Sequence, residues 1–397
     1  MIKKTLAIVV PELLPVPPVK GGAVEHWVHE VTHRLDSQQF AITIISRPSG
    51  MTLEGVIRYI AIPWTPLEKA FDWMKQRVTW RNPLRYLAKI QHVTSYGLRV
   101  AAHVKPFDMV IMHNEPNLLL FIDKKSNQKL ILHMHNAHLT HAGLRWLYRR
   151  ALYKVDMVIC VSDYIRLNAI EYFPEHARKF VVLFNATNPD QFKPYTASAI
   201  QAVQGLPQLA QEHYHLLYVG RLNAEKGVDV LIKAFGQVLR QHPNGKLVIC
   251  GSSFFEGAVQ TPYQQQLVAL AQPIAHAIIF TGFVPHAQLK YLYAAVDIVV
   301  LPSVWQDPCP LVVLEAMAAG ACLVASRVGG VPEVVSHGED GLLVNANNPH
   351  ELAATLNHAL DQPAFIKQLG VAARHKIVAH YSWAHLVKQL TQQLHNV

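Results

Sequence analysis

Charged residues are scarce in this chain: of 397 residues, 16% are Asp, Glu, Lys or Arg, whereas 51% are hydrophobic. Intrinsic disorder requires the opposite balance, so the composition excludes it. Cysteine is also rare. The four Cys residues include no CxxC pair, which excludes a disulfide scaffold and a cysteine-rich zinc module. The sequence therefore indicates a folded protein with a large apolar core.

Long hydrophobic runs are missing as well. The most apolar stretch, Leu311–Ala325, contains Glu315 and is shorter than the roughly 20 residues of a membrane span. Near the amino terminus, the run Leu6–Val10 ends at Pro11 and is shorter than the roughly 7–15 apolar residues of a signal peptide. We therefore expect a cytoplasmic protein in which this run is a buried strand.

Three common nucleotide and hydrolase motifs do not occur. The chain contains no G-x-G-x-x-G, no G-x-x-x-x-G-K and no G-x-S-x-G. Their absence argues against a dinucleotide-binding dehydrogenase, a P-loop NTPase and an α/β-hydrolase.

Two histidine clusters suggest metal binding but have a simpler explanation. Residues 29–33 match H-E-x-x-H, yet on a helical wheel His29 and His33 fall opposite the apolar side chains Val28 and Leu35 and should face solvent. The second cluster follows a predicted strand without a neighbouring Cys or carboxylate: His133, His135, His138 and His141. We expect no metal at either, and assign the second cluster to structural or substrate-side roles.

Short apolar runs alternate with helical segments along the chain, which is typical of parallel strands buried on both faces. The first set of predicted strands comprises Thr5–Val10, Ile42–Ile45, Met109–Met112, Leu130–His133, Met157–Val161 and Phe180–Leu183. The second set comprises Leu216–Val219, Leu247–Cys250, Ile278–Phe280, Ile298–Leu301 and Cys322–Ala325. The chain is therefore predicted to be an α/β protein with two doubly wound domains.

The domain boundaries follow from a change in composition. The segment 188–212 is rich in Pro, Gln, Ala and Thr. We predict a first domain over residues 1–190, a linker region over 191–212 and a second domain over 213–379. A carboxyl-terminal helix, residues 380–397, is expected to return to the first domain. Ligands should bind beyond the carboxyl ends of the strands, in a cleft between the domains.

Two features favour a phosphate ligand. Gly21 and Gly22 precede the predicted helix Ala23–Leu35, where they let a ligand approach the backbone and the helix N-terminus favours an anion. Arg221 and Lys226, within VGRLNAEKG, follow the first strand of the second domain. Such a pair of cations can neutralise a diphosphate without a metal.

Two further features favour a hydroxyl-rich ligand. Glu315 lies within a predicted apolar helix, eight residues after Asp307, and an unpaired carboxylate there would be costly. Either the hydroxyl pair of a ligand or a structural partner would satisfy it. Gly329 and Gly330 form a second glycine-rich loop, followed by Pro332 at a predicted helix start.

Taken together, these motifs resemble the retaining glycosyltransferases of family 4. The likeness is carried by GGAVE, the strand-end histidine, VSDYI at 161–165, VGRLNAEKG, and the block from PSVWQDP through GGVPEVV to GEDGLLV. The resemblance implies the GT-B architecture, in which two Rossmann-like domains face each other across a cleft. Within the family the chain looks most like bacterial transferases of surface polysaccharide, lipopolysaccharide core and spore coat.

The resemblance also implies roles for individual residues. Glu315 would bind the ribose hydroxyls, Asp307 the donor sugar, and Gly22 would lie near the phosphate. The implied catalytic residues are His135, Arg221, Lys226 and Asp307. The implied donor-binding residues are Gly22, Arg221, Lys226, Gly251, Phe283, Asp307, Pro310, Leu311, Val312 and Glu315, with Gly251 and Phe283 beside the nucleobase.

Two positions depart from the family pattern. The first acidic residue is Asp307 rather than Glu, and Pro310 stands where Gly is common. Because Pro310 lacks an N–H group, the amides of Leu311 and Val312 are left to hold the sugar or phosphate.

The expected activity is retaining transfer of a hexosyl or N-acetylhexosaminyl group from a nucleotide diphosphate sugar, with UDP favoured. The acceptor would be a hydroxyl of a bacterial glycan or lipid-linked glycan, and we expect no metal and no cofactor. One alternative is a sugar-nucleotide epimerase of the same architecture. Another is a catalytically silent subunit that binds a nucleotide sugar, which the substitutions Asp307 and Pro310 keep open.

A net charge of +9 favours an anionic partner. Basic and aromatic residues mix in Arg77–Arg99 and Arg145–Lys154, which indicates either solvated helix faces with buried aromatics or a surface for anionic lipid. No nucleic-acid-binding motif occurs, so we expect no nucleic acid partner. A peripheral position at the inner face of the cytoplasmic membrane is the corresponding hypothesis.

Overall fold

The computed structural model describes residues 3–18, 22–50, 57–77, 83–203, 207, 209, 213–252 and 261–397, without the side chains of 75–92 and 142. The chain divides into two compact units. The first comprises Met1–Leu183 with Val387–Val397, and the second comprises Phe184–Leu386. Each unit has its own parallel sheet, which confirms the predicted α/β class with two doubly wound domains.

The first unit is built on a seven-stranded sheet among the described residues. Its strands are β1 (Lys4–Val9), β2 (Phe40–Ser46), β3 (Arg58–Ala61), β4 (Met109–His113), β5 (Lys129–Met134), β6 (Met157–Cys160) and β7 (Phe180–Val182). Its α-helices are α1 (Ala23–Thr32), α2 (Pro66–Arg77), α3 (Pro83–Val104), α4 (Arg145–Lys154) and α5 (Asp163–Tyr172). The strand order is β3-β2-β1-β4-β5-β6-β7. The order reverses between β1 and β4, where sheets of this kind bind ligands beyond the strand ends.

The second unit repeats this plan with six strands among the described residues. They are β8 (His215–Val219), β9 (Lys246–Cys250), β10 (Ile278–Gly282), β11 (Ile298–Leu301), β12 (Cys322–Ser326) and β13 (Leu342–Val344). The helices are α6 (Ala197–Gln201), α7 (Val228–Val238), α8 (Pro262–Ala271), α9 (His286–Ala294), α10 (Leu311–Ala319), α11 (Val331–Val334), α12 (Pro349–Leu360) and α13 (Pro363–His380). The strand order is β10-β9-β8-β11-β12-β13, so the order reverses between β8 and β11.

Alternation along β8 explains why both faces of this sheet are covered. Leu217 and Val219 join a core cluster that includes α10 residues such as Val313. Leu216 and Tyr218 join a second cluster on the other face, with α7 residues such as Phe235. Because successive side chains point to opposite faces, a parallel strand between two helical layers is hydrophobic at consecutive positions, as over 216–219.

The chain ends in α14 (Trp383–Asn396), whose residues from Val387 onward belong to the first unit. There Gln393 Nε2 donates a hydrogen bond to the carbonyl of Val182 at 3.4 Å. The ring of His395 stacks on Phe40 with 5.9 Å between centroids.

Several elements differ from the sequence-based expectation. Strands β3 and β13 were not predicted, because β3 lies at the sheet edge with partly exposed side chains and β13 has only three residues. Helix α1 ends at Thr32, earlier than the predicted Leu35. Helix α6 falls within the segment 191–212, and the second unit begins upstream of that segment, at Phe184.

Among the described residues, no helix is both long and apolar enough to span a membrane.

Candidate functional site

The centre of the second unit carries an ion pair at the point where the strand order reverses. Lys226 ends a short 3-10 turn after β8, and Asp307 lies in the loop between β11 and α10. The ammonium group of Lys226 donates to Oδ2 of Asp307, and both side chains are largely buried. The two residues were expected to contact different parts of a ligand. The structure instead pairs them directly.

Backbone contacts fix the loop that holds Asp307. The N–H of Gly330 donates to the carbonyl of Asp307 at 2.9 Å, and the N–H of Gly329 donates to Gln306 Oε1 at 2.7 Å. Gly329 has a φ of +52°, and a Cβ atom there would lie 2.0 Å from the Asp307 carbonyl oxygen. Only glycine fits this close approach, so the loop of Gly329 and Gly330 fixes the backbone that carries the Asp307 carboxylate.

Glu315 is buried on α10, where two protein side chains hold its carboxylate. His286 Nε2 lies 2.7 Å from Oε1, and the hydroxyl of Tyr293 donates to Oε2 at 2.9 Å. The ring of Phe192 packs edge-on against both His286 and Tyr293. The sequence left open whether a ligand or a structural partner satisfies this buried carboxylate. The structure supplies structural partners on both oxygens.

The other expected donor-binding residues of this unit also lie beyond the carboxyl ends of strands. Arg221 follows β8 and is exposed, and Gly251 follows β9. Phe283 follows the neighbouring strand β10 and is 56% exposed. Pro310 is the N-cap of α10, so the first amides of that helix, including those of Leu311 and Val312, have no intrahelical acceptors.

In the first unit, Gly22 is the N-cap residue of α1 with a φ of +107°. A Cβ atom at Gly22 would lie 2.1 Å from Oε2 of Glu25. Burial raises the pKa of the Glu25 carboxyl to about 7, because the charged form is desolvated. Gly21 lies outside the described residues. A buried carboxyl therefore occupies the first turn of the helix that was expected to attract an anion.

Three histidines meet at the carboxyl ends of β4 and β5. His113 and His133 are direct partners in the parallel ladder, and His135 comes directly after β5, two residues beyond His133. Nδ1 of His113 lies 2.9 Å from Nε2 of His135, while the rings of His133 and His135 are 4.1 Å apart. Asn114 fixes the backbone here, because its Oδ1 accepts a hydrogen bond from the His135 N–H at 2.7 Å.

The interior of this cluster lacks hydrogen-bond partners. Among the described residues, no partner contacts Nε2 of His113, either ring nitrogen of His133, or Nε1 of Trp27, all of them buried. Trp27 packs over the cluster, 4.6 Å from the His133 ring. An unsatisfied buried polar atom costs about 1–3 kcal/mol. Burial lowers the pKa of His113 and His133 well below the usual value and that of His135 to about 3, so all three rings are neutral.

The remaining histidines of the two predicted clusters do not join this group. His138 and His141 are exposed, and His138 Nδ1 lies 3.3 Å from the carbonyl of Asn114. Directly after α1, His33 is exposed as predicted, and its Nδ1 contacts the carbonyl of His29 at 2.7 Å. His29 was also expected to face solvent but is half-buried, with its own Nδ1 buried. Within the described part of the chain, His113, His133 and His135 are the group whose ligand atoms approach one another closely enough to hold a metal ion.

Helix α4 presents aromatic and basic side chains to the surface. Trp146 and Tyr153 are 62% and 67% exposed, whereas Tyr148 is buried. Arg150 is exposed, and the Arg149 guanidinium pairs with Glu175 at 2.7 Å. The side chains of Arg77, Trp80 and Tyr86, in the other predicted basic segment, lie outside the described ones. The structure thus leaves two of the aromatics of α4 unburied.

Sequence reasoning missed several residues at these positions. His286 and Tyr293 are separated from Glu315 by 29 and 22 residues, and His113 lies on a different strand from His133. No local motif marks them. The one available signal is that a buried carboxylate such as Glu315 needs a donor, and Tyr293 on the preceding predicted helix could supply it.

The arrangement of each unit defines a class of protein. A doubly wound parallel sheet with charged side chains and glycine-rich turns at its switch point is typical of α/β proteins that bind phosphorylated nucleotides there. Two family models match the chain: "Glycosyltransferase Family 4" over residues 21–191 and "Glycosyl transferases group 1" over residues 207–376. The chain belongs to this group of glycosyltransferases and has the GT-B fold.

Curated relatives extend over nearly the whole chain. A putative glycosyltransferase of Bacillus subtilis, YtcC, is 29% identical and aligns with 97% of this chain and 90% of its own length. The lipopolysaccharide 1,2-N-acetylglucosaminetransferase of Salmonella typhimurium is 26% identical, covering 100% of this chain and 99% of that protein. Among solved structures, Anabaena HepE in complex with UDP has a TM-score of 0.75 at 18% identity, with 99% and 100% of the two chains covered.

Proposed function

We propose that this protein transfers a sugar from a nucleotide diphosphate sugar, with UDP favoured, to a hydroxyl of a glycan or lipid-linked glycan. The transferred group would be a hexosyl or N-acetylhexosaminyl unit, and the anomeric configuration would be retained without a metal. The observation that carries the proposal is the Lys226–Asp307 pair at the switch point of the second sheet. It places a cation and a carboxylate beside the position where such sheets bind phosphorylated ligands.

The cations of the second unit would act on the leaving diphosphate. In the reaction, the bond between the anomeric carbon and the phosphate oxygen breaks, and the acceptor oxygen bonds to the same face of that carbon. The hydroxyl proton passes to the departing diphosphate, which carries the bond's electron pair. Arg221 is exposed and Lys226 is held in place by Asp307. Positive charge fixed in advance stabilises a developing negative charge without reorganisation.

Glu315 would hold the ribose. His286 and Tyr293 orient its carboxylate, and the two oxygens of a carboxylate together offer about four acceptor positions. A ribose hydroxyl would donate to one of them. The backbone turn at Gly251 and the exposed ring of Phe283 lie at the ends of the next two strands, β9 and β10, where a nucleobase would bind.

In the first unit, Gly22 and His135 would contact the donor. Because burial keeps the imidazole of His135 neutral, it would form hydrogen bonds to sugar hydroxyls and would not act as a cation.

In the second unit, the amides of Leu311 and Val312, at the N-terminus of α10, would hold the sugar or phosphate in place of the missing Pro310 N–H group.

Relatives support the choice of donor and acceptor. Anabaena HepE has been solved in complex with UDP and, in another structure, with UDP-glucose. The Salmonella relative is named for transfer of N-acetylglucosamine to lipopolysaccharide, which is an amphipathic acceptor. The exposed Trp146, Arg150 and Tyr153 of α4 would bind an anionic membrane near such an acceptor.

A two-stage experiment tests the proposal. Thermal shift against UDP-, GDP-, ADP- and dTDP-sugars identifies the donor, since a ligand at 100 times its Kd adds about 2.7 kcal/mol of stability. Release of the nucleoside diphosphate is then measured with and without glycan acceptors in the presence of a chelator, and the product anomer is assigned by NMR. Acceptor-dependent release with retention is expected. A changed sugar formed without acceptor would indicate an epimerase, and binding without turnover would indicate a silent subunit.

A further inference from the structure

The histidine cluster at the carboxyl ends of β4 and β5, in the first unit, brings three potential ligands together. We propose that His113, His133 and His135 form a three-histidine site for a divalent transition-metal ion of the zinc type. The ligand atoms of the three residues all lie within 4.8 Å of one another. Zinc–nitrogen bonds of about 2.0–2.1 Å in a tetrahedron hold the nitrogens about 3.3 Å apart, so a bound ion would draw the more distant nitrogens together by up to about 1.5 Å.

The unsatisfied nitrogen atoms are the independent observation that points to an occupant. His133 is fully buried, and neither of its ring nitrogens has a partner among the described residues. Nε2 of His113 is in the same situation. A neutral imidazole has one nitrogen with a lone pair. Three neutral rings therefore provide three ligands once the hydrogen bond between His113 Nδ1 and His135 Nε2 is exchanged for bonds to the ion.

The donor set determines the class of metal. Imidazole nitrogen suits Zn²⁺, Co²⁺, Ni²⁺ and Cu²⁺, whereas Mg²⁺ and Ca²⁺ prefer oxygen. Three protein ligands leave one position of a tetrahedral ion for water or an anion. His113 and His133 are completely buried and His135 is partly exposed, so the open position would lie on the side of His135.

Strand pairing, a backbone hydrogen bond and an indole ring fix the positions of the three histidines. His113 and His133 are locked by strand pairing, and Asn114 holds the backbone of His135. Trp27 packs against all three rings, at centroid distances of 5.0, 4.6 and 5.9 Å. A ligand set fixed at the ends of two neighbouring strands and covered by an indole needs little reorganisation of the backbone to accept an ion.

The transfer reaction itself is expected to need no metal, although this site shares His135 with the residues proposed to contact the donor. The proposed function assigns His135 to the donor sugar, so an ion and the sugar would compete for one ring. Metal binding is therefore measured on protein free of nucleotide sugar. Failure to bind metal would leave the transferase proposal intact, because UDP-sugar binding is measured separately.

The experiment titrates Co²⁺ into the chelator-treated, full-length protein and records the visible ligand-field bands of four-coordinate cobalt, with displacement by Zn²⁺. We expect one such site per chain. Replacing an outer-shell partner of a metal site weakens binding about 10–100-fold, so His133→Gln and His135→Gln, which each remove a ligand, should weaken it by about 100-fold or more. Zn²⁺ should raise the Tm of the wild type and leave that of the variants unchanged.

The matched control is the double variant His29→Gln, His33→Gln. It replaces the half-buried His29 of α1 and the exposed His33 that follows the helix, whose rings are 4.4 Å apart, and should leave the cobalt bands unchanged. If His133→Gln does not fold, the partly exposed His135 provides the test. Loss of the bands in the α1 double variant, or no bands in the wild type, would overturn the proposal and leave the cluster as a structural element.

Discussion

Lys226 and Asp307 form an ion pair although 81 residues separate them in the sequence. They meet because β8 and β11 are neighbouring parallel strands, so the loops after both strands emerge at the same edge of the sheet. The largely buried carboxylate holds the ammonium group at the switch point. The pair is the clearest sign that this edge is organised for a charged ligand.

Lys226→Ala should lower kcat about 100- to 1000-fold, the usual effect of removing a group that stabilises charge developing in a transition state. The Kd for the nucleotide sugar should change much less. Steady-state kinetics with the donor found by thermal shift provide the measurement. Lys233→Ala is the matched control, because Lys233 is exposed on α7 and contacts Asp229 at 3.3 Å. A rise in KM with unchanged kcat would instead assign Lys226 to ground-state binding.

Glu315→Gln should weaken nucleotide binding by about 10- to 100-fold, since hydrogen bonds to charged groups contribute roughly 1.5–3 kcal/mol. Isothermal titration calorimetry with the nucleoside diphosphate measures this loss. Circular dichroism must show that the variant is folded, because His286 and Tyr293 also lose the carboxylate. Equal affinity of variant and wild type would remove Glu315 from the nucleotide site.

Tyr293→Phe should lower the free energy of unfolding by about 1–3 kcal/mol, because it removes the hydroxyl that donates to the buried Glu315 carboxylate and preserves the ring. Urea denaturation measures the change. Tyr291→Phe is the control: this ring lies nearby on α9, with Lys290 Nζ 5.0 Å from its centroid. A stability loss equal in both variants would mean that the contact with Glu315 contributes nothing specific.

The free energy of unfolding of the wild type should decrease as the pH rises from about 4.5 to about 7, because of the Glu25 carboxyl. Its pKa is raised from 4.5 to about 7 in the folded protein, so the folded state retains a proton that the unfolded chain has lost. Stability therefore decreases as pH rises through this window, by up to about 3 kcal/mol, and is constant above it.

Glu25→Gln should abolish that contribution, so the variant gains stability relative to wild type from pH 4.5 to pH 8. Chemical denaturation at several pH values gives the comparison, with the exposed Glu339→Gln as control. If the difference in free energy of unfolding between the wild type and Glu25→Gln does not change with pH, the assignment to Glu25 is wrong.

Arg150→Glu and Trp146→Ala should each weaken sedimentation with anionic vesicles. A basic residue near such a surface contributes about 1 kcal/mol, so reversing one charge should cost about tenfold or more. Binding of the wild type should fall as ionic strength rises. Trp305→Ala is the control, an exposed tryptophan in the second unit. Wild-type protein that stays in the supernatant at low salt would favour a soluble acceptor.

The sequence by itself determined the α/β fold class of the two units and the kinds of side chain that form the candidate site. Apolar runs such as Leu6–Val10 and Ile298–Leu301 have no polar alternation, because parallel strands between helical layers are buried on both faces. Glu315 in an apolar helix required a partner, because an unpaired carboxylate there is costly. Both inferences depend on local spacing and on the energetic cost of burial, which a single segment reveals.

Only the tertiary structure decided which side chains meet. Lys226 was expected at a diphosphate and Asp307 at a sugar, yet strand order brings them into contact. No sequence pattern marks His113, which joins the cluster because β4 and β5 pair in a register that places it opposite His133. Such side-chain contacts depend on which strands are neighbours in the sheet and on the register in which they pair. That choice is made by packing across the whole sheet, where each long-range contact is set by residues far apart in the chain.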